Sequence, residues 1–433
     1  MKREKYSVDN RGKRWSITNV FGLAIIGGAL CAPSLGSPSS PNSVRASTPA
    51  VREALQTEVA LQSWRKAILK TSQPKKACFV AMYPEAVWHE VGCKTPPNRP
   101  LPPKLGMGAE QVGGANGEEY SAQVQGHIST AEGSFESVGG VTSEIADGFA
   151  NQFSLQLNTN YFTTTACRSS PSPSTCQGWQ QFVYDTDGSG FIQYWLLKYG
   201  PEGTSCPAGW NSYVFQNSTE VYCWINAASG ASAPLETIAS IGKMTVGGAV
   251  PGVNGASDFM VVTVGGLMYS APGDNRFPDL GSQWQAAEYN VFGDTGGDQA
   301  VFNVGTVIVV KTQVDNGTIN APTCLNKGFT GESNNLSLVG PCCPIGGFYP
   351  SIAFRESNQV ATPPSCAGIQ QTDLNCPAIS KLIKSLQAQL VSAQNRLTSP
   401  TCEGPASFEC VATIRNIQSQ IETNSRLYSE DCR

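Results

Sequence analysis

Two stretches of the sequence place polar side chains at every second position, the spacing that puts them on one face of a β-strand. In residues 153–162 (FSLQLNTNYF), Gln156 lies two residues after a serine and two before an asparagine. In residues 284–292 (WQAAEYNVF), Glu288 shares a face with an alanine and an asparagine. A carboxylate flanked by small and amide side chains fits a concave polar groove, where it could transfer protons. The alternative is a solvent-facing glutamate on an ordinary sheet.

The signatures of most other catalytic and nucleotide-binding sites are missing from the sequence. Its only histidines are His89 and His127, so a three-histidine zinc site is impossible. There is no G-x-S-x-G elbow, phosphate-binding loop or H-E-x-x-H motif. The run at 185–190 begins like a calcium loop, but Leu196 stands where a bidentate glutamate is needed, so we predict a hairpin turn. We expect no metal and no cofactor, and the net charge of −4 does not favour nucleic-acid binding.

The N-terminus predicts export from the cytoplasm. A basic stretch precedes an apolar run at 20–30 (VFGLAIIGGAL), which is typical of a signal peptide, here assigned to 1–34. An uncleaved membrane anchor is the alternative, but after signal removal we expect no membrane span. Without Cys31, the 15 cysteines become an even number, as in proteins with paired cysteines. The sequence therefore predicts a secreted, extracellular or periplasmic protein.

Cysteines that lie close in sequence predict local disulfides in an oxidising compartment. Three such pairs are Cys78/Cys93, Cys167/Cys176 and Cys206/Cys223. The pairing of four others stays open, with three combinations allowed for Cys324, Cys342, Cys343 and Cys366.

The middle of the chain predicts a mainly β fold. Residues 119–357 contain many short stretches of alternating apolar and polar residues, separated by Gly, Asp, Asn or Pro. This pattern favours an antiparallel β-sandwich of concanavalin-like or jelly-roll-like type. Before it, residues 35–118 combine a helical pattern with Pro/Gly-rich stretches, the layout of a propeptide or of a plain N-terminal appendage.

The end of the chain changes to a helical period. After a linker at 358–375, residues 376–433 contain two apolar helix faces of equal length, separated by Pro and Gly. An antiparallel hairpin of these two helices, packed as a coiled coil, would bring the ends of the arms together. We therefore predict the bridges Cys376–Cys432 and Cys402–Cys410, and a spacer or an arm that binds a partner.

The two polar strands resemble those of the eqolisins, the glutamic peptidases. FSLQLNTNYF is similar to the strand that carries their catalytic glutamine, and AAEYNVFGDTGGDQAVFNVGTVIVV to the strand of their catalytic glutamate and the stretch after it. GWQQFVYDTDGSGFIQYWLLKYG stands where that family has an aromatic, substrate-lining hairpin. The resemblance covers about 120–312. The whole layout also resembles a broad group of secreted bacterial proteins of undefined role, through the runs GWQQFVY, QYWL and FGD.

The resemblance implies an endopeptidase that cleaves polypeptides without metal or cofactor. Glu288 would be the general base and then the general acid, while Gln156 would orient the water and stabilise the oxyanion. Trp179 and Trp195 would contact substrate. Because a carboxylate with an ordinary pKa of about 4 is a useful base only in acid, an acidic pH optimum is implied.

Two other classes of function fit the same sequence. The first is a non-catalytic β-sandwich module that binds carbohydrate or a surface through the same aromatic residues. The second is a disulfide-rich envelope or spore-surface protein with a helical arm. Sandwich folds host all of these functions, so the arrangement of side chains in the site must decide between them.

Overall fold

The computed structural model describes most of the chain between residue 60 and residue 396. The described residues are 60–69, 73, 76–85, 87–104, 119–216, 218–250, 257–294, 296–347, 349–359, 366 and 376–396, with seven single residues between 411 and 425. The predicted signal peptide at 1–34 lies outside them.

Twenty-three strands, two continuous α-helices and three short 3₁₀ helices make up the regular elements of these residues, and the single residues between 411 and 425 are also helical. Helix α1 is described over 60–69, and helix α2 is Cys376–Arg396. In chain order the strands are β1 Cys78–Met82, β2 His89–Val91, β3 Tyr120–Gln123, β4 Thr130–Gly139, β5 Glu144–Ala146, β6 Phe149–Ala150, β7 Phe153–Thr159, β8 Gln177–Asp185, β9 Ser189–Pro201, β10 Asn211–Tyr213, β11 Glu220–Asn226, β12 Ala231–Ser232, β13 Met244–Ala249, β14 Phe259–Val264, β15 Leu267–Pro272, β16 Ala286–Gly293, β17 Gln299–Phe302, β18 Val307–Asp315, β19 Thr323–Asn326, β20 Ser333–Asn334, β21 Ser337–Leu338, β22 Cys343–Ile345 and β23 Ser351–Ser357.

Two large antiparallel sheets organise the strands. The first sheet has the order β2-β1-β15-β14-β13-β4-β18-β23-β21, with β22 also paired to β23. The second has the order β10-β11-β9-β8-β7-β16-β3-β19, with β12 also paired to β9. A small third sheet has the order β20-β17-β5-β6 and contains a parallel pair, β17 with β20. The prediction of a mainly β, antiparallel fold is confirmed.

The apolar faces of the two large sheets pack against each other, as in a β-sandwich. Apolar residues of β7, β8 and β9 are fully buried in one core cluster with residues of β4, β13 and β18. The contact is close at Gly133, where an added Cβ would lie 1.9 Å from the Tyr289 ring. At Gly248 an added Cβ would lie 2.5 Å from Phe182. Glycine at these positions lets a backbone of the first sheet approach aromatic rings of the second.

The turns form where the sequence predicts them, but one long apolar stretch is divided into two strands. Gly265, at φ 58°, forms the turn between β14 and β15, and 185–189 forms the turn between β8 and β9. The apolar stretch 300–312 reads as one strand, but it is divided between β17 and β18. Gly305, at φ 91°, lies in the break and turns the chain from the third sheet to the first.

Five disulfides join described cysteines. The predicted bridges Cys78–Cys93, Cys167–Cys176 and Cys206–Cys223 are confirmed. The open set resolves into Cys324–Cys342 and Cys343–Cys366. Such a set indicates an oxidising compartment outside the cytoplasm. Among the described helices, none combines the length and the apolar composition that a membrane crossing requires.

The N-terminal part of the described chain packs on the first sheet. Strand β1 pairs with β15, and the disulfide Cys78–Cys93 ties β1 to the end of β2. Trp64, Ile68 and Leu69 of α1 are buried in a cluster with residues of β13, β14 and β15. Burial of three large apolar side chains stabilises this arrangement by several kcal/mol, at about 1.5–3 kcal/mol each.

Near the C-terminus, α2 occupies the position of the first predicted arm. Leu386 is fully buried in a small cluster with Ile417, and Leu390, Ala393 and Ile421 pack on them. The helical hairpin stays a prediction. So do its two bridges, because Cys402, Cys410 and Cys432 lie outside the described residues.

Candidate functional site

Gln156 and Glu288 lie on neighbouring strands and on the same face of the second sheet. Strand β7 pairs with β16 so that Gln156 is opposite Asn290 and Asn158 is opposite Glu288. Residues paired in this way share a face, so Gln156 and Glu288 are diagonal neighbours, ordinarily about 7–8 Å apart. Their face points away from the first sheet, because the intervening Tyr289 packs on it. We call this side of the second sheet, with Gln156, Asn158, Gln181, Gln193 and Glu288, the polar face.

The Glu288 carboxylate is held by two donors. Asn158 Nδ2 donates to its Oε2 at 3.1 Å, and the main-chain N–H of Phe329 donates to the same oxygen at 2.9 Å. Glu288 is fully buried. These two hydrogen bonds fix the orientation of the carboxylate.

A second carboxyl group, that of Glu119, lies against Glu288. A Cβ added at Gly328 would be 2.0 Å from Glu119 Oε1 and 2.7 Å from Glu288 Oε1, so both oxygens lie next to the same glycine. Neither oxygen has another hydrogen-bond partner. Burial, and next the Glu288 carboxylate, raise the pKa of Glu119 well above its ordinary value. This shift favours the neutral form of Glu119 beside Glu288.

Both polar atoms of the Gln156 side-chain amide are hydrogen-bonded. Its Nε2 donates to Ser154 Oγ at 2.8 Å and to a carboxylate oxygen of Glu332, and its Oε1 accepts from Gln181 Nε2 at 2.8 Å. Burial raises the pKa of Glu332 well above its ordinary value. The structure thus brings Gln156 and Glu288 to one face, but each is bonded to other groups and not to its counterpart.

Trp179 and Trp195 also lie on this side of the sheet, opposite each other on β8 and β9. Their ring centroids are 6.3 Å apart, and both residues are fully buried. Tyr161 packs edge-on against Trp179, and Tyr213 does so against Trp195. In this state neither tryptophan is open to a ligand from solvent.

Residues 94–104, which we call the strap, run across the polar face. Five of the eleven are proline, which fixes φ, and a residue before proline is held extended. Nine main-chain groups of the strap are hydrogen-bonded to the rest of the protein, and five of them are bonded over the polar face. These five bonds are Asn226 Nδ2 to Pro97 O (2.7 Å), Gln193 Nε2 to Arg99 O (3.0 Å), Leu101 N–H to Gln193 Oε1 (2.8 Å), Gly331 N–H to Pro102 O (2.8 Å) and Lys104 N–H to Phe329 O (2.9 Å).

The loop 327–332, which we call the cover loop, lies between the strap and Glu288. Phe329 N–H binds Glu288 on one side, and Phe329 O accepts from Lys104 of the strap on the other. The Tyr161 hydroxyl donates to Phe329 O at 2.6 Å. Strap and cover loop together explain why the polar face is completely buried.

Several residues of the site were not predicted from the sequence. Glu119 and Glu332 are acidic residues with no periodic signal, and they reach the polar face only through the fold. The strap lies in a stretch that reads as a Pro/Gly-rich linker. Its one local signal is the apolar Leu101 between prolines. Among the described residues, no group of three or more His, Cys, Asp or Glu side chains is arranged to hold a metal ion.

Comparison with known proteins adds no further constraint on the site. No protein-family model, no curated protein and no solved structure matches this chain. The function must therefore be inferred from the geometry of the polar face itself.

Proposed function

We propose that this protein is a secreted endopeptidase of glutamic type that acts at acidic pH and whose active face is covered by its own strap. The observation that supports this most is the placement of Gln156 and Glu288 on one face, beneath a backbone-bound peptide segment. An enzyme that cleaves polypeptides needs such a surface, on which main-chain bonds hold an extended chain over the reacting groups. The eqolisin-like order of the two strands agrees with this.

The proposed reaction uses one carboxylate and one amide. Glu288 removes a proton from a water molecule as the water oxygen attacks the scissile carbonyl carbon. The Gln156 amide N–H donates to the oxyanion that forms on the carbonyl oxygen. Glu288 then delivers its proton to the leaving nitrogen, and the C–N bond breaks. Glu119 shares its proton with Glu288 and so compensates the burial of two neighbouring carboxyl groups.

The covered state has a consequence for the alternative functions. A carbohydrate-binding module would need an exposed aromatic platform, whereas Trp179 and Trp195 are fully buried. An envelope protein would need no buried pair of carboxyl groups beneath a peptide segment. No contact in the described residues favours either alternative over the peptidase.

Loosening the strap is expected to accelerate cleavage. Arg99→Ala/Leu101→Ala removes the strap's half-buried cation and its buried apolar side chain, so the polar face opens more often. At pH 4 we expect this variant to cleave an unfolded protein faster than the wild type by roughly tenfold or more, because loss of the buried Leu101 side chain alone costs about 2 kcal/mol or more of strap binding. Fragments are counted by mass spectrometry.

The matched control is Asn98→Ala, since Asn98 is an exposed residue of the same strap. It should cleave at the wild-type rate. The proposal fails if none of the three proteins cleaves the substrate in acid, while covering by the strap fails if Asn98→Ala is as fast as the double variant.

A further inference from the structure

One strap residue carries a charge into the polar face. Arg99 Nη2 contacts Asp185 Oδ2 and lies 3.1 Å from Asp294 Oδ2. The Asp185 side chain is 0% exposed and the Asp294 side chain 3%, whereas Arg99 is 27% exposed. The two carboxylates are therefore fixed parts of the domain, and the arginine is the group that reaches them from outside.

Two buried carboxylates require a cation nearby. Burial raises the pKa of Asp185 to about 6, while Arg99 acts in the opposite direction. Burial likewise raises the pKa of Asp294, and Arg99 again opposes it. Without a cation, both groups would be costly to keep ionised at neutral pH. The pair is suited to a planar guanidinium, which offers several donors at fixed angles.

A second strap side chain enters the face two residues later. Leu101 is fully buried in a cluster with Val183 and Phe191. Val183 is the cross-strand neighbour of Gln156, so this apolar pocket adjoins the proposed oxyanion donor. Residues two apart in an extended chain point the same way, which is how Arg99 and Leu101 both face the sheet.

One side chain fixes the register between these two positions. Gln193 Nε2 donates to Arg99 O at 3.0 Å, and Gln193 Oε1 accepts from Leu101 N–H at 2.8 Å. The amide thus binds the main chain on both sides of Pro100 and is independent of which side chains the peptide carries. Main-chain bonds of this kind give affinity, and the side-chain pockets give specificity.

We infer that Asp185 and Asp294 form the recognition site for an arginine side chain of polypeptide substrates, and that Val183 and Phe191 receive a leucine two residues later. The strap occupies both positions as an internal template. The inference deepens the proposed function and rests on it only in calling the bound peptide a substrate. The binding site itself is testable without any cleavage.

The test measures peptide binding at pH 7, where acid cleavage is suppressed. The full chain carries Arg99→Ala/Leu101→Ala, and the probe is a fluorescein-labelled peptide with the strap sequence TPPNRPLPPK, followed by anisotropy. We expect this peptide to bind more tightly than one with alanine in place of arginine by roughly tenfold or more, as for other buried charge pairs. Adding Asp294→Asn should reduce that ratio to about threefold or less. Adding Asp147→Asn, a change in an exposed turn, should leave it unchanged.

Equal binding of the two peptides, or an unchanged ratio with Asp294→Asn, would overturn the inference. If the double variant does not fold, the peptide-binding measurement is replaced by hydrogen exchange of the Leu101 amide in the full-length Asp294→Asn variant. That exchange should be roughly tenfold or more faster than in the wild type, and an unchanged rate would equally overturn the inference. Selective binding without acid cleavage would support the arginine site and contradict the peptidase. Acid cleavage without selective binding would support the peptidase and contradict the arginine site.

Discussion

In the strap-loosened variant Arg99→Ala/Leu101→Ala, replacing Glu288 by glutamine is expected to slow acid cleavage by about 10²–10⁴-fold, the usual contribution of a general base. Glutamine cannot take a proton from water at any pH used. It keeps an oxygen that can accept from Asn158 and from the Phe329 N–H, so the site should retain its shape. Initial rates at pH 4 on an unfolded protein provide the measurement.

The stability of this variant separates a catalytic role from a structural one. Glu288→Gln removes one carboxyl group of a buried pair, so its free energy of unfolding should be no lower than that of its parent. Glu202→Gln, in the exposed turn after β9, is the control and should change neither rate nor stability. Unchanged cleavage by Glu288→Gln would mean that the glutamate serves only the fold.

The free energy of unfolding is expected to fall as pH rises from about 4.5 to about 8. Burial raises the pKa of Glu356 to about 8, with Asn290 and Asn334 opposing the shift. Burial also raises those of Glu119 and Glu332. Between the ordinary pKa and the raised one, the folded protein keeps a proton that the unfolded chain has lost. Rising pH therefore favours unfolding, and stability is greatest in acid.

The size of this effect is large enough to measure by urea unfolding at several pH values. A pKa moved from 4.5 to about 8 corresponds to on the order of 5 kcal/mol for Glu356 alone. Glu356→Gln should flatten the decline, because its amide does not titrate, whereas Glu202→Gln should follow the wild type. Stability that rises from pH 5 to pH 8 would contradict this account of the buried glutamates. A protein that is most stable in acid suits a peptidase that works there.

The faces of the site strands could be predicted because strand alternation is a local property. In FSLQLNTNYF, the apolar Phe153, Leu155 and Leu157 enter the core, and Gln156 takes the other side. The three local disulfides were predictable for a similar reason, since short loops keep their ends close. The partners of the adjacent Cys342 and Cys343 could not be predicted, because these two and the remaining two cysteines allow three combinations. Only the fold shows which combination forms.

What covers the site could not be predicted, because it depends on contacts between distant segments. The strap bonds to Gln193, which is more than ninety residues away. Proline-rich composition is shared by flexible linkers and by segments bound as extended peptides, so it could not distinguish them. For the same reason Trp179 and Trp195 read as an open aromatic lining, and only the fold shows the rings packed over them.

A double-mutant cycle on the cleavage rate tests most directly whether Gln156 and Glu288 act as one catalytic unit. Gln156→Ala, Glu288→Gln and their combination are each made in the strap-loosened variant and assayed at pH 4. When two groups act as one unit, removing both lowers the rate little more than removing one. The combined variant should therefore be about as slow as Glu288→Gln alone. A combined loss equal to the product of the two single losses, or a Gln156→Ala rate equal to that of the parent, would contradict the account.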